Sequence, residues 1–135
     1  MYEGTITFIQ VDDKGIDRNR KESYVLENAI SFSDAEDKLL DYGEGLTEID
    51  ISSIKRSKVK EIINTRNSDE EVIFAAELQD VFLNEDGTEK EIKYKVLLFA
   101  KTFDEAKAIM SEHIRQGYSM EIVGIKKTKF VDVLP

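Results

Sequence analysis

The segment from Val25 to Ile63 aligns without a gap on the segment from Val96 to Leu134, and nine of roughly forty positions are identical. Unrelated segments of that length share about two. The chain therefore carries an internal duplication. A half of about 65 residues is marginal as an independent fold, whereas 135 residues suffice for an ordinary core. The sequence thus predicts one pseudo-twofold domain over 1–135, with repeat one at 1–64, repeat two at 71–135 and a polar linker at 65–70.

Each repeat opens with an alternating hairpin pattern around a polar, glycine-containing turn. Thr5 to Val11 meets Asp12-Asp13-Lys14-Gly15 and returns through Ser23 to Ile30; Val72 to Leu83 meets Asn84-Glu85-Asp86-Gly87 and returns through Ile92 to Phe99. A helix follows in each half, announced by Ser31-x-x-Asp34 and Thr102-x-x-Glu105. In both, the hydroxyl is expected to cap a first-turn amide while the acid reaches back to the capping residue's own amide. Phe32, Ala35 and Leu39 match Phe103, Ala106 and Met110 at helical spacing, which predicts one buried stripe per helix. The first helix is expected to end near Tyr42-Gly43-Glu44-Gly45, with a left-handed glycine, and the second near Gln116-Gly117. A long strand pattern closes each repeat, and its alternation breaks at Ser52-Ser53 and Val123-Gly124, where a bulge is expected. The fold class so predicted is α+β: internally duplicated β-β-α-β repeats with mostly antiparallel sheet and one helix per repeat. Sharing the strands after the helices would give each half the partner it lacks.

A hydrophobic fraction of 41% with 35% charged residues describes a soluble globular chain, and no apolar run reaches the ~20 residues of a membrane helix. Met1-Tyr2-Glu3-Gly4-Thr5 lacks the basic start and apolar stretch of a secretion signal. The absence of cysteine excludes disulfides and thiol chemistry. A cytoplasmic protein without a membrane partner is expected.

The net charge of −9 argues against bulk attraction to polyanions. The charge is uneven, however. Ile54 to Ile63 and Ile125 to Leu134 together carry +5, which leaves −14 on the remainder. Arg56, Lys58 and Lys60, with Lys127 and Lys129 in the second repeat, are placed by strand alternation on equivalent faces, where they would contact the phosphates of single-stranded nucleic acid. Tyr24 and Tyr94, on the neighbouring strands, are the candidate stacking platforms. The plainer reading is that lysines protect sheet edges from edge-to-edge pairing.

Other chemistry is not supported. His113 is the only histidine, and it reads as an amphipathic residue at a helix edge and not as a metal ligand or acid–base group. Asp12-Asp13 and Glu85-Asp86 lack the spaced ligands and closing acid of a calcium loop and read as hairpin turns. Gly43-Glu44-Gly45 follows a helix, where a phosphate loop would precede one. No catalytic residue, metal ligand or cofactor site is therefore proposed, and a non-enzymatic chain is expected.

The opening Met1-Tyr2-Glu3-Gly4, the stretch Ile54 to Ile62, the block Tyr94 to Ala100 and the ending Lys129-Phe130-Val131-Asp132-Val133 resemble an uncharacterised, domain-of-unknown-function family of Bacteroidetes and their phages. That resemblance implies a bacterial or mobile-element setting and transfers no site residue. A separate architectural analogy, strands followed by a helix across a pseudo-twofold, is to the PC4-like and Pur-type single-strand-binding modules. The expected function is a small binding module for single-stranded nucleic acid; the alternative is a protein-interaction or assembly module. The oligomeric state is left open, a homodimer included.

Overall fold

A computed structural model describes residues 1–115 and 120–135. The element order is β1 (Tyr2–Val11), β2 (Asp17–Leu26), α1 (Phe32–Tyr42), β3 (Thr47–Arg56), β4 (Val59–Ile62), β5 (Val72–Leu83), β6 (Glu89–Ala100), α2 (Phe103–Arg115), β7 (Met120–Lys127) and β8 (Phe130–Leu134). The fold is α+β with two four-stranded, mostly antiparallel sheets, and a β-β-α-β pattern occurs twice along the chain.

The chain divides into two compact units that do not coincide with the sequence repeats. One comprises Met1–Ser57 and Lys129–Pro135, the other Lys58–Thr128. The first sheet has the order β3-β1-β2-β8 and the second β4-β6-β5-β7. Each repeat therefore keeps its hairpin, its helix and the first part of the closing strand, and gives the last few residues to the other unit. β8 pairs in parallel with β2, Val25 opposite Val133 and Leu26 opposite Leu134. β4 pairs in parallel with β6, Glu61 opposite Val96 and Ile62 opposite Leu97. The closing strands that read as continuous are thus interrupted at Ser57–Lys58 and Thr128–Lys129, where alternation gives no sign of a break.

The expected bulges are present at matching positions. Along β1, Thr5 faces Ser53 and Ile6 faces Ile51, which leaves Ser52 unmatched. Along β5, Glu77 faces Gly124 and Leu78 faces Ile122, which leaves Val123 unmatched. An extra residue resets the alternation. Ile51 and Ile54 accordingly both reach the first core, and Ile122 and Ile125 the second, despite a spacing of three.

Pairing register corrects the gapless alignment. Tyr2 opposite Leu26 in the first hairpin corresponds to Phe74 opposite Leu98 in the second, an offset of 72 residues, whereas Ala35 and Leu39 correspond to Ala106 and Met110 with an offset of 71. The second repeat is one residue shorter between returning strand and helix. Val25 is therefore equivalent to Leu97, and Leu26 to Leu98. The alignment slips here because 24–26 and 96–100 are buried throughout, so these aliphatic runs lack the polar alternation that would fix which residue faces the core.

Each helix lies on its own sheet through two of the three residues of the predicted stripe, while Phe32 and Phe103, at the first position of each helix, are about half exposed and not buried as expected. Ala35 and Leu39 join Tyr2, Ile6, Tyr24 and Leu26 in the first core; Ala106 and Met110 join Phe74, Ala76, Val96 and Leu98 in the second. Gly4 permits the close approach of α1, since a Cβ there would lie 2.4 Å from Leu39 Cδ1. Ser31 Oγ accepts from the Asp34 amide at 3.0 Å and Thr102 Oγ1 from the Glu105 amide at 3.2 Å, so both hydroxyls cap as expected. Asp34 Oδ2 accepts instead from the Ile30 amide, one residue before the cap, at 3.0 Å. Gly43 ends α1 at φ −83°, and the left-handed residue is Gly45 at φ 89°. The expected end of α2 at Gln116-Gly117 lies outside the described residues. Each hairpin returns earlier than its apolar pattern suggests, at Asp17 and Glu89, through polar residues exposed to solvent.

The stretch after β4 is fastened to β6 more firmly than its polarity suggests. Asn64 replaces a strand residue with its side chain, donating through Nδ2 to Phe99 O at 3.0 Å and accepting from Phe99 N at 2.7 Å. The Arg66 guanidinium lies 4.8 Å from the Phe99 ring centroid, and the buried Glu71 carboxylate accepts the amides of Asn67 and Ser68.

Candidate functional site

The strand exchange divides both basic segments. Arg56 and Lys129 belong to the first unit; Lys58, Lys60 and Lys127 belong to the second. Arg56 stands opposite Tyr2 and Lys127 opposite Phe74, and since both aromatics lie in helix-side cores, both cations project from the helix-bearing face of their sheet. In the second unit β4 and β7 are opposite edges of the sheet, three strand spacings or about 14 Å apart. In the first unit β3 and β8 are likewise opposite edges. Within each unit, then, the cations flank the sheet on two sides. Arg56, Lys58, Lys127 and Lys129 are exposed or half-exposed and, among the described residues, none of them forms an ion pair. Lys60 differs: its Nζ sits 4.3 Å from the Tyr94 ring centroid in a cation–π contact.

The two tyrosines are committed to packing. Tyr24 is fully buried, and its hydroxyl donates to the Glu22 carboxylate and reaches the Tyr42 hydroxyl at 3.4 Å. Its ring lies 4.8 Å from that of Tyr42. Burial, with the Glu22 carboxylate and Tyr42 adding to it, pushes the Tyr24 phenol far above its ordinary value. As placed, Tyr24 presents no face to a base. Tyr94 is half-buried against the second core; Lys60 lies over its ring and its hydroxyl donates to Met120 Sδ.

The remaining sequence candidates are structural where the geometry is described. Asp12 accepts from the amides of Lys14 and Ile16, both at 2.9 Å, and pairs with Arg18 at 3.0 Å. The Ile16 amide above all, with Arg18 and Lys14, holds its carboxyl below the usual carboxylate value. Asp86 is lowered by the Thr88 hydroxyl at 2.6 Å and amide at 3.0 Å. Gly15 and Gly87 are left-handed, at φ 77° and 85°. Both acidic runs thus build hairpin turns. His113 borders an open depression of about 510 Å³ with Ile63, Ile109 and Glu112. Among the described residues no three His, Cys, Asp or Glu groups converge as a metal site, and no helix is long and apolar enough to cross a membrane.

One surface feature has no counterpart among the sequence candidates. Among the described residues the second hairpin continues past its neighbours as a two-stranded arm. Among the described residues no strand pairs with β5 beyond Asp80 or with β6 before Lys95. On its helix-side face Phe82 and Ile92 are diagonal neighbours, 47% and 38% exposed. On the other face Val81 and Leu83 are 47% and 76% exposed and stand opposite Glu91 and Glu89. The equivalents of Phe82 and Ile92 in the first arm are Gln10 and Arg20, whose side chains hydrogen-bond at 3.0 Å. The signal lay in that substitution of an apolar pair for a polar one. Reading it requires the offset of 72, and the gapless alignment starts only after the hairpin.

No curated protein and no solved structure matches the chain. A family model does, over residues 1–135, and the chain belongs to the family described as domain of unknown function DUF4494.

Proposed function

We propose that the chain is a non-enzymatic protein-interaction or assembly module that makes its contact through the outer arm of the second hairpin. It would act in the cytoplasm, in the Bacteroidetes and phage setting that the family resemblance implies. The supporting observation is the apolar pair Phe82 and Ile92, exposed where the first arm carries a hydrogen-bonded Gln10 and Arg20. Isolated exposed aliphatics are ordinary, but this short arm, which no strand flanks among the described residues, exposes an apolar pair on each face, Phe82 with Ile92 on one and Val81 with Leu83 on the other, and clustered exposure of this kind marks contact sites.

Single-stranded nucleic acid is the second reading. It is favoured by the exposure of Arg56, Lys58, Lys127 and Lys129 without ion-pair partners among the described residues. It would be a phosphate-only mode, since Tyr24 is buried and Tyr94 is engaged by Lys60. Purification of tagged protein from the native host separates the two readings. A stoichiometric protein partner lost from the Phe82→Ser/Leu83→Ser variant supports the first. Oligonucleotide that is retained by that variant, released by salt and lost from Arg56→Glu/Lys127→Glu supports the second and overturns the first.

A further inference from the structure

Resting on the interaction reading, we infer that the arm's partner is a segment of another protein in which aliphatic side chains are bracketed by Lys or Arg. The argument comes from the face that carries Val81 and Leu83. Val81 stands directly opposite Glu91 and Leu83 opposite Glu89. Cross-strand neighbours lie about 5 Å apart, so at its outer end the face presents Val81 and Leu83 on β5 beside Glu91 and Glu89 on β6, with Lys93 the next residue inward on the same face. Leu83 at 76% exposure is the most open apolar side chain of the arm. Glu89 and Glu91 are both exposed and, among the described residues, neither forms an ion pair.

A ligand that buries Val81 and Leu83 must bring its neighbouring groups against Glu91 and Glu89. A neutral or acidic segment would leave two carboxylates desolvated or facing like charge, while Lys or Arg at those places completes the contact. The same reasoning disfavours a second copy of this arm. Asp80, Glu85, Asp86, Glu89 and Glu91 outnumber Lys90 and Lys93, so two arms brought together would oppose acid to acid. The opposite face, with Phe82 and Ile92 beside Lys90 and Asp80, has no such bias, and adds apolar area alone.

The test uses the intact chain and three fluorescein-labelled peptides of equal length: one of alternating Leu and Lys, one of alternating Leu and Glu, and one of alternating Ser and Lys. Fluorescence anisotropy should show the Leu–Lys peptide binding at least about tenfold more tightly than either other peptide, a difference of about 1.4 kcal/mol. Glu89→Gln/Glu91→Gln should weaken that binding about tenfold, whereas Glu36→Gln/Glu44→Gln, an equal change of charge in the first unit, should leave it within about threefold. Circular dichroism confirms that each variant is folded. Equal weakening by the two charge variants overturns the inference, because the attraction would then be that of the net charge. Tight binding of the Leu–Glu peptide that is lost in Val81→Ser/Leu83→Ser overturns the basic chemistry and leaves the interaction reading standing. If Val81→Ser/Leu83→Ser alters binding of no peptide, both fail. A wild-type dimer dispersed by Val81→Ser/Leu83→Ser, seen in light scattering, overturns the inference in favour of a second copy.

Discussion

The two hairpin arms share a backbone plan and differ in what their side chains do with it. Both end in a turn built on a left-handed glycine and an aspartate that accepts neighbouring amides, Asp12 with Gly15 and Asp86 with Gly87. On the first arm the helix-side pair is Gln10 and Arg20, which hydrogen-bond to each other. On the second, Phe82 and Ile92 occupy those places and stand half-exposed. Duplication supplied two copies of one scaffold, and the difference between copies locates the surface that the fold does not itself need. The copies agree in burying Leu39 and Met110 at equivalent points of the helices, whereas on the helix-side face of the arms the differing side chains are exposed in both copies, so burial does not dictate the choice there.

The agreement can be tested first, because its effects are the largest. Leu39→Ala and Met110→Ala should each cost about 2–5 kcal/mol in urea denaturation, since both side chains are fully buried at equivalent points of the two helices. A cost confined to one of them would show that one copy dominates the fold.

The disagreement predicts a smaller effect on stability and a large one on contact. Writing the first arm's pair into the second, as Phe82→Gln/Ile92→Arg, should change stability by less than about 1 kcal/mol, as expected at an exposed site. The same variant should lose the partner. A stability loss like that of Leu39→Ala would mean that the arm is part of the core.

A third contrast lies at Tyr24, whose equivalent is Val96. The Tyr24 phenol is held above its ordinary value of 10.0 by burial, the Glu22 carboxylate and Tyr42. Its folded value is raised, so its contribution to stability is fully present below about pH 10 and is lost as the pH rises beyond it. Unfolding followed from about pH 8 to 12 should show an alkaline loss that Tyr24→Phe flattens. An unchanged alkaline limb in Tyr24→Phe would assign the loss to other groups. The smallest effect belongs to the turns. Asp12 and Asp86 are both lowered, so their contributions are present above the ordinary carboxylate value of 3.8 and are lost as the pH falls below it. Asp12→Asn and Asp86→Asn should each make the acid transition shallower by a similar small amount.

Much of this fold was legible because it rests on local signals. The caps at Ser31 and Thr102, the stripes at Ala35 and Ala106 and the bulges at Ser52 and Val123 are each set by residues a few positions apart. The strand exchange was legible only as a need for shared strands, since nothing in the alternation through Ser57 or Thr128 marks which sheet the next residue joins. The register slip near Val25 arose where burial on both faces removes the polar alternation. Arg56 and Lys127 project from equivalent faces, as alternation implies, yet the crossings assign Arg56 and Lys58 to different units. Tyr24 was misleading because a tyrosine on a strand reads the same whether its hydroxyl meets water or, as here, Glu22 and Tyr42.

The central claim is that contact belongs to the second arm and to neither the first arm nor the basic strands. Hydrogen–deuterium exchange of the intact protein, with and without the Leu–Lys peptide, tests it directly. The account predicts that amides of 81–83 and 89–92 gain protection on binding while those of 9–11, 17–20 and 54–60 do not change. Protection on the first arm or along 54–60, with 81–83 unaffected, would contradict it.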